Sequence, residues 1–143
     1  ASSAASDVYK RQQMMQAAAL LYQITKQKSY LEDAQNIAEA CHKHFFTQFT
    51  SPDGQTFQLL KKGNIWFTAV MLRGFIELYQ IDHNKTYLTD FQRSLDYAWH
   101  HARDERGLFQ TDWSGTDKNE KKWLLTQAAF IEMYGRLGGI NLQ

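Results

Sequence analysis

The sequence predicts an all-α fold, part of an α/α toroid, and three observations predict it. Strongly apolar helical stretches alternate along the chain with amphipathic ones. The alternation repeats: YQITKQKSYLEDAQ at Tyr22–Gln35 returns as YQIDHNKTYLTDFQ at Tyr79–Gln92, 57 residues later. FIELY at Phe75–Tyr79 returns in turn as FIEMY at Phe130–Tyr134. Helical solenoid repeats recur at about 33–47 residues. A 57-residue unit with a long loop suits instead an inner ring of apolar helices wrapped by amphipathic ones.

Each element has its own signal. Met14 to about Lys26 is nearly all apolar or small, which reads as a helix buried on every side. Ser29-Tyr30-Leu31-Glu32 has the form of a capping box and predicts the start of a second helix. Its stripe is Tyr30, Leu31, Ala34, Ile37, Ala38, Cys41 and Phe45. Thr47–Gly63 is expected to be a loop, marked by Ser51-Pro52-Asp53-Gly54, and no strand is expected anywhere. Asn64–Ile81 is the next apolar helix, and Asp82-His83-Asn84 a turn. Thr86 is placed to cap an amphipathic helix carrying Tyr87, Leu88, Phe91, Leu95, Ala98, Trp99 and Ala102. A third apolar helix begins near Trp123 and stops at Gly138-Gly139. The chain thus holds about two and a half hairpins. Its two open flanks are expected to expose some of Met14, Met15, Leu20, Val70, Met71 and Leu125.

Composition narrows the function classes. A net charge of +1 supplies no field to attract nucleic acid. No apolar run approaches the ~20 residues of a membrane span. One cysteine, Cys41, excludes an internal disulfide and a cysteine-rich metal site. His42 and His44 do not face each other on a helix, and His100 and His101 are adjacent, so no metal or other cofactor is expected.

The first residues stand apart. Ser2–Gln12 (SSAASDVYKRQ) resembles the translation of a transposon adapter used to prepare DNA sequencing libraries; Asp7–Gln12 back-translates to GAT GTG TAT AAG AGA CAG. Such segments are set aside before fold reasoning. The expectation is that residues 1–12 are not native and that 13–143 are the C-terminal part of a toroid catalytic domain.

In a toroid the long loops and the N-terminal ends of inner helices share one face, where binding residues collect. That selects Thr47–Gly63 and Arg103–Lys122. The second contains Trp99-His100-His101-Ala102-Arg103-Asp104, Gly107-Leu108-Phe109 and Asp112-Trp113-Ser114-Gly115. The order W-x-x-A-R-D, G-L-F, D-W-S-G resembles the C-terminal part of glycoside hydrolase family 76, the endo-α-1,6-mannanases and their bacterial relatives. Trp66–Tyr79 is similar to that family's penultimate inner helix, and the resemblance covers nearly all of Gln13–Gly138. It implies an (α/α)6 toroid, a mannan-type polysaccharide or oligosaccharide as partner, and a secreted, periplasmic or cell-surface parent. It also implies a catalytic pair of adjacent aspartates in the N-terminal half. No Asp-Asp dipeptide occurs in this sequence, so no catalytic residue is assigned within it.

The candidate substrate-binding residues are Gln13, Trp66, Phe67, Arg73, Asp112 and Trp113. Gln13 is what remains of a family motif at the start of the first inner helix. Trp66 and Phe67 begin an inner helix and either line the cleft or pack in the core. Arg73, a charge in an apolar helix, needs a partner or a wet lumen. Asp112 holds sugar hydroxyls or caps its own turn. Trp113 stacks on a mannose ring or plugs the loop onto the rim. Arg103 and Asp104 are expected to brace the loop by pairing. Other toroid enzymes, such as sugar epimerases and unsaturated-glucuronyl hydrolases, fit the helical pattern as well, as does a helical-repeat interaction scaffold. The period and the loop aromatics favour the enzyme.

Overall fold

The computed structural model describes residues 2–142, with side chains from Tyr9 onward. Its elements are α1 (Ser2–Thr25), α2 (Lys28–Phe45), β1 (Phe46–Thr50), β2 (Thr56–Leu60), α3 (Ile65–Asp82), α4 (Thr86–His101) and α5 (Leu124–Gly138). The helices form two layers. Inner helix α3 packs on α1 and on α5, while α2 lies against α1 and α3, and α4 against α3 and α5. This is an arc of an α/α toroid with inner helices α1, α3 and α5.

The middle helix carries the core. Ile65, Ala69, Met71, Leu72, Phe75 and Leu78 of α3 are fully or almost fully buried. Burying a side chain of this size contributes roughly 1.5–3 kcal/mol. Gly74 faces α1 so closely that an added Cβ would lie 2.6 Å from the Met15 Cε. On the α5 side, Arg73 is paired: Nε donates to Glu132 Oε1 at 2.6 Å and Nη2 to Oε2 at 2.9 Å. The outer helices add Leu88, Phe91, Leu95 and Ala98 from α4 and the smaller Ala34, Ala38 and Cys41 from α2. Burial pushes the Cys41 thiol up to about 11, so it behaves as a small inert hydrophobe. His42 of α2 meets Asp90 of α4 at 2.6 Å.

The repeat is written in the backbone as well as the sequence. Lys26 and His83, 57 residues apart, both take left-handed conformations with φ of 59° and 56°. Each donates its backbone N–H to the tyrosine four residues before, Tyr22 at 2.8 Å and Tyr79 at 2.9 Å. These are αL helix ends, a position usually given to glycine.

Several expectations need correction. The Thr47–Gly63 loop is largely a β-hairpin, pairing Phe46 with Leu60 through Thr50 with Thr56. A lone hairpin is marginal in water; this one is held by α4. Tyr97 meets Phe49 and Phe57, and Leu60 N–H donates to the buried Ser94 hydroxyl at 3.1 Å. The capping box does not form: α2 already begins at Lys28, and no side chain caps it. Thr86 is the first helical residue of α4 rather than its cap; its N–H is taken by Asn84 Oδ1 at 3.1 Å. Helix α1 is not buried all round, since Met14, Leu20, Leu21 and Ile24 are exposed. Of the six flank residues, Met14, Leu20 and Leu125 are exposed and Met15, Val70 and Met71 are buried.

The adapter-like stretch does not hang free. Helix α1 runs through it, the Tyr9 ring sits 4.6 Å from Phe67 and 6.0 Å from Phe45, and Gln12 is fully buried. Removing residues 1–12 therefore removes the Tyr9 ring contacts and the buried Gln12.

Candidate carbohydrate site

The N-terminal ends of α3 and α5 meet the long 103–123 loop, and that loop is built stiffly. Arg103 and Phe109 pair as an isolated antiparallel bridge, and Gln110 N–H donates to Ala102 O at 2.8 Å. Gln127, one turn into α5, grips Phe109 with its carboxamide. Its Oε1 accepts from Phe109 N–H at 2.8 Å and its Nε2 donates to Phe109 O at 2.9 Å. Gln110 Oε1 accepts from Asn119 N–H at 2.7 Å and from Lys122 Nζ at 2.9 Å. Asn119 in turn accepts from Thr111 N–H at 2.7 Å.

Within that loop the D-W-S-G stretch is a plug. Asp112 accepts from Ser114 N–H at 3.0 Å, Ser114 Oγ at 2.9 Å and Asp117 N–H at 2.9 Å. Burial draws its pKa upward, but these hydrogen bonds and Lys62 outweigh it and leave the carboxyl below its ordinary value. The bonds satisfy the turn, so Asp112 is a turn cap. Trp113 is 0% exposed, with its ring 5.0 Å from Phe130 and edge-on to Phe91. A ring with no open face stacks on no sugar, so Trp113 is an anchor and not a platform. Gly115, at φ +75°, lies so close to α4 that an added Cβ would fall 1.8 Å from His101 O. No other residue fits there.

Arg103 and Asp104 do not pair with each other as expected. Arg103 stacks 3.8 Å over the Trp99 ring and donates to Trp99 O at 2.7 Å. Asp104 caps its own turn through Arg106 N–H and Leu108 N–H, both at 2.9 Å, and meets the Arg106 side chain at 3.3 Å.

What the loop leaves open is a cavity of about 270 Å³ between the starts of α3 and α5. Trp66 borders it from α3, and Trp123 from the N-cap of α5. Trp123 is 70% exposed and Trp66 36% exposed. Asn64, Thr111, Asn119, Lys122 and Thr126 line it with hydrogen-bonding groups. Asn64 is held in place because its Oδ1 caps α3, accepting from Trp66 N–H at 3.0 Å. No aspartate or glutamate is among the lining residues. Aromatic faces with fixed polar neighbours are what a sugar ring needs: C–H faces against the rings and hydroxyls to the polar groups. Arg73 stands behind Trp66, its guanidinium 5.6 Å from the ring, while its charge is spent on Glu132.

A second cavity of about 280 Å³ lies across the α3 N-terminus and shares Gly63 and Asn64 with the first. Phe67 lines it together with Tyr9 and Gln12. Gln13 itself points to solvent and borders neither cavity. The structure thus brings Trp66 and Phe67 to the inner-helix face, makes Arg73 a brace behind it, and buries Trp113. Trp123, Asn64 and Asn119 were missed. In the sequence Trp123 marks a helix start, and a tryptophan at that position is also a visible signal for this face. A larger hollow of about 740 Å³ lies between the hairpin turn and α4 and shares no lining residue with these two cavities.

The inner-helix starts of this α/α toroid arc thus carry an aromatic cavity with polar walls. Residues 6–134 match the profile of glycosyl hydrolase family 76, and the chain belongs to that family. It is similar to the crystal structure of a family 76 glycoside hydrolase from a bovine Bacteroides thetaiotaomicron strain, with 44% identity and a TM-score of 0.86 over 91% of this chain. It is also similar to a family 76 glycoside hydrolase (mannosidase) from Bacteroides thetaiotaomicron VPI-5482, with 39% identity and a TM-score of 0.84 over 91% of this chain. The chain spans 28% and 36% of those two chains. No curated protein matches it. Among the described residues no helix is long and apolar enough to cross a membrane. Nor does any group of three or more His, Cys, Asp or Glu stand ready to hold a metal ion.

Proposed function

We propose that this chain is the C-terminal part of a toroid acting on α-1,6-linked mannan, and that it supplies a sugar-holding wall rather than the hydrolytic carboxylates. The observation that carries the reading is the Trp66–Trp123 cavity, which has sugar-binding chemistry and no carboxylate lining. Glycoside cleavage uses two carboxyl groups, one to protonate the leaving oxygen and one to attack or activate water. The adjacent aspartates that the family resemblance implies do not occur in this sequence. Residues 1–12 are, on this reading, foreign sequence that extends α1.

Titration calorimetry of the purified chain with α-1,6-linked mannooligosaccharides, beside a reducing-sugar assay, tests this. Binding without turnover is expected, and Trp123→Ala should weaken binding at least about tenfold, the equivalent of one stacked ring at ~1.4 kcal/mol. Hydrolysis abolished by a substitution within these 143 residues, or affinity unchanged in Trp123→Ala, would overturn it.

A further inference from the structure

We propose, resting on the sugar-holding role given to it above, that the Trp66–Trp123 cavity prefers a mannan carrying an anionic substituent, a phosphate ester or a carboxylate, to a neutral one. Lys121 and Lys122 both line the cavity, and no aspartate or glutamate does. A sugar hydroxyl needs a hydrogen-bond partner but no net charge. Asn64, Thr111, Asn119 and Thr126 already meet that need. Two ammonium groups without a counter-charge are surplus to it.

The two lysines are held differently. Lys122 Nζ donates to Gln110 Oε1 at 2.9 Å and to Asn119 O. Both acceptors are neutral, so these bonds fix the ammonium in place without cancelling its charge. Of its three N–H donors two are used and one remains. The anchor is stiff, because Gln110 is buried and its Oε1 also accepts from Asn119 N–H at 2.7 Å. Lys121 is exposed and has no partner among the described residues. One charge is thus preplaced, and the other is free to swing onto a ligand.

Neighbouring acids do not supply the missing charge. Asp117 pairs with Lys62 at 3.0 Å, and Asp112 accepts hydrogen bonds from its own turn. Glu120, next to Lys121 in the chain, does not line the cavity. The start of α5 acts in the same sense as the lysines. No side chain caps this 15-residue helix and its first turn holds no acidic residue, while Trp123, Leu125 and Thr126 of that end line the cavity. The partial positive charge of a helix N-terminus favours an anion. Lysine meets phosphate and carboxylate oxygens alike as a point charge. The shared chemistry is a negatively charged oxygen beside a stacked sugar ring.

Calorimetry of the full chain with three disaccharides tests this: α-1,6-linked mannobiose, the same sugar phosphorylated at its free O6, and the same sugar with that C6 oxidised to a carboxylate. Inorganic phosphate is the fourth probe. At low salt at least one charged disaccharide should bind about tenfold tighter than the neutral one, the equivalent of one charge-assisted hydrogen bond. Preference for one of the two charged forms identifies the group the site takes. High salt should shrink the advantage. Lys121→Gln breaks no hydrogen bond; it should cut the advantage about threefold, as for an exposed charge pair, and leave the affinity for neutral mannobiose unchanged. Lys122→Gln should cut it further. Equal affinity for neutral and charged sugars, a preference untouched by the two substitutions together, or inorganic phosphate bound as tightly as the phosphorylated sugar would each overturn this proposal alone. A chain that binds none of the three disaccharides would remove the sugar-holding role and this proposal with it.

Discussion

Met14 and Met71 hold the same place in successive repeats, 57 residues apart, and live in opposite surroundings: one is 57% exposed, the other fully buried. Ile131 and Ile76 are related in the same way, 72% against 9% exposed. The residue type is conserved between the two repeats of this one sequence, and only the neighbour differs. Inner helices of a toroid are therefore made apolar for a contact that their own hairpin does not supply. The middle helix α3 shows the contact made on both sides; α1 and α5 show it made on one.

The comparison can be broken by substitution. The largest effect lies in the loop, where the same contrast holds between two tryptophans. Trp113→Ala should cost about 3–5 kcal/mol, as expected for emptying a large buried aromatic site. Trp123→Ala should leave stability within about 0.5 kcal/mol, as for an exposed side chain. Urea unfolding with equal slopes would check both. Next, Met71→Ala should cost about 2–5 kcal/mol, and Met14→Ala less than about 0.5 kcal/mol. Equal losses would show that the α1 flank is covered.

Two glycines sharpen the contrast further. Gly135 of α5 has open space where a Cβ would go, so Gly135→Ala should gain up to about 1 kcal/mol from helix propensity. Gly74 of α3 would drive its new Cβ against the Met15 side chain, so Gly74→Ala should gain nothing or lose stability in the same thermal melts.

The smallest effect is electrostatic. Arg73 first, with Arg136 adding to it against the opposing effect of burial, holds the Glu132 carboxyl down to about 2. A carboxyl whose folded pKa lies below its ordinary 4.5 stabilises fully above that value and loses this as the pH falls from 4.5 towards 2. The α3–α5 contact should weaken across that window. The α1–α3 contact, where Gln23 donates to Glu77 at 3.5 Å and no ion pair occurs among the described residues, should not weaken in the same way. Amide exchange in α5 rising before that in α1 on acidification would show it, and Glu132→Gln should flatten the response.

The helices and their order were legible in the sequence because apolar periodicity reports burial directly. Asn64, the start of α3 and the Gly138-Gly139 stop all fell where local chemistry puts them. The hairpin was not legible. FTQFT and TFQLL are five residues each, and what keeps them paired is Tyr97 and Ser94 on α4, more than thirty residues downstream. The face was half legible. Trp66 could be placed from its position at a helix start. Trp113 could not be, because a loop tryptophan looks the same in sequence whether it turns outward or, as here, folds back between Phe91 and Phe130. Gly115 was the overlooked signal, since a glycine forced against His101 pins the loop inward.

The four tryptophans allow the candidate site to be tested in one measurement. Each gives one indole N–H resonance, and they sit in four different places: Trp66 and Trp123 at the inner-helix cavity, Trp99 on the outer face, Trp113 in the core. Titrating the chain with an α-1,6-linked mannooligosaccharide should shift the Trp66 and Trp123 signals together along one saturable curve, while Trp99 and Trp113 stay fixed. Movement of Trp99 alone, or no movement of Trp66 and Trp123 at saturating sugar, would contradict the placement of the site.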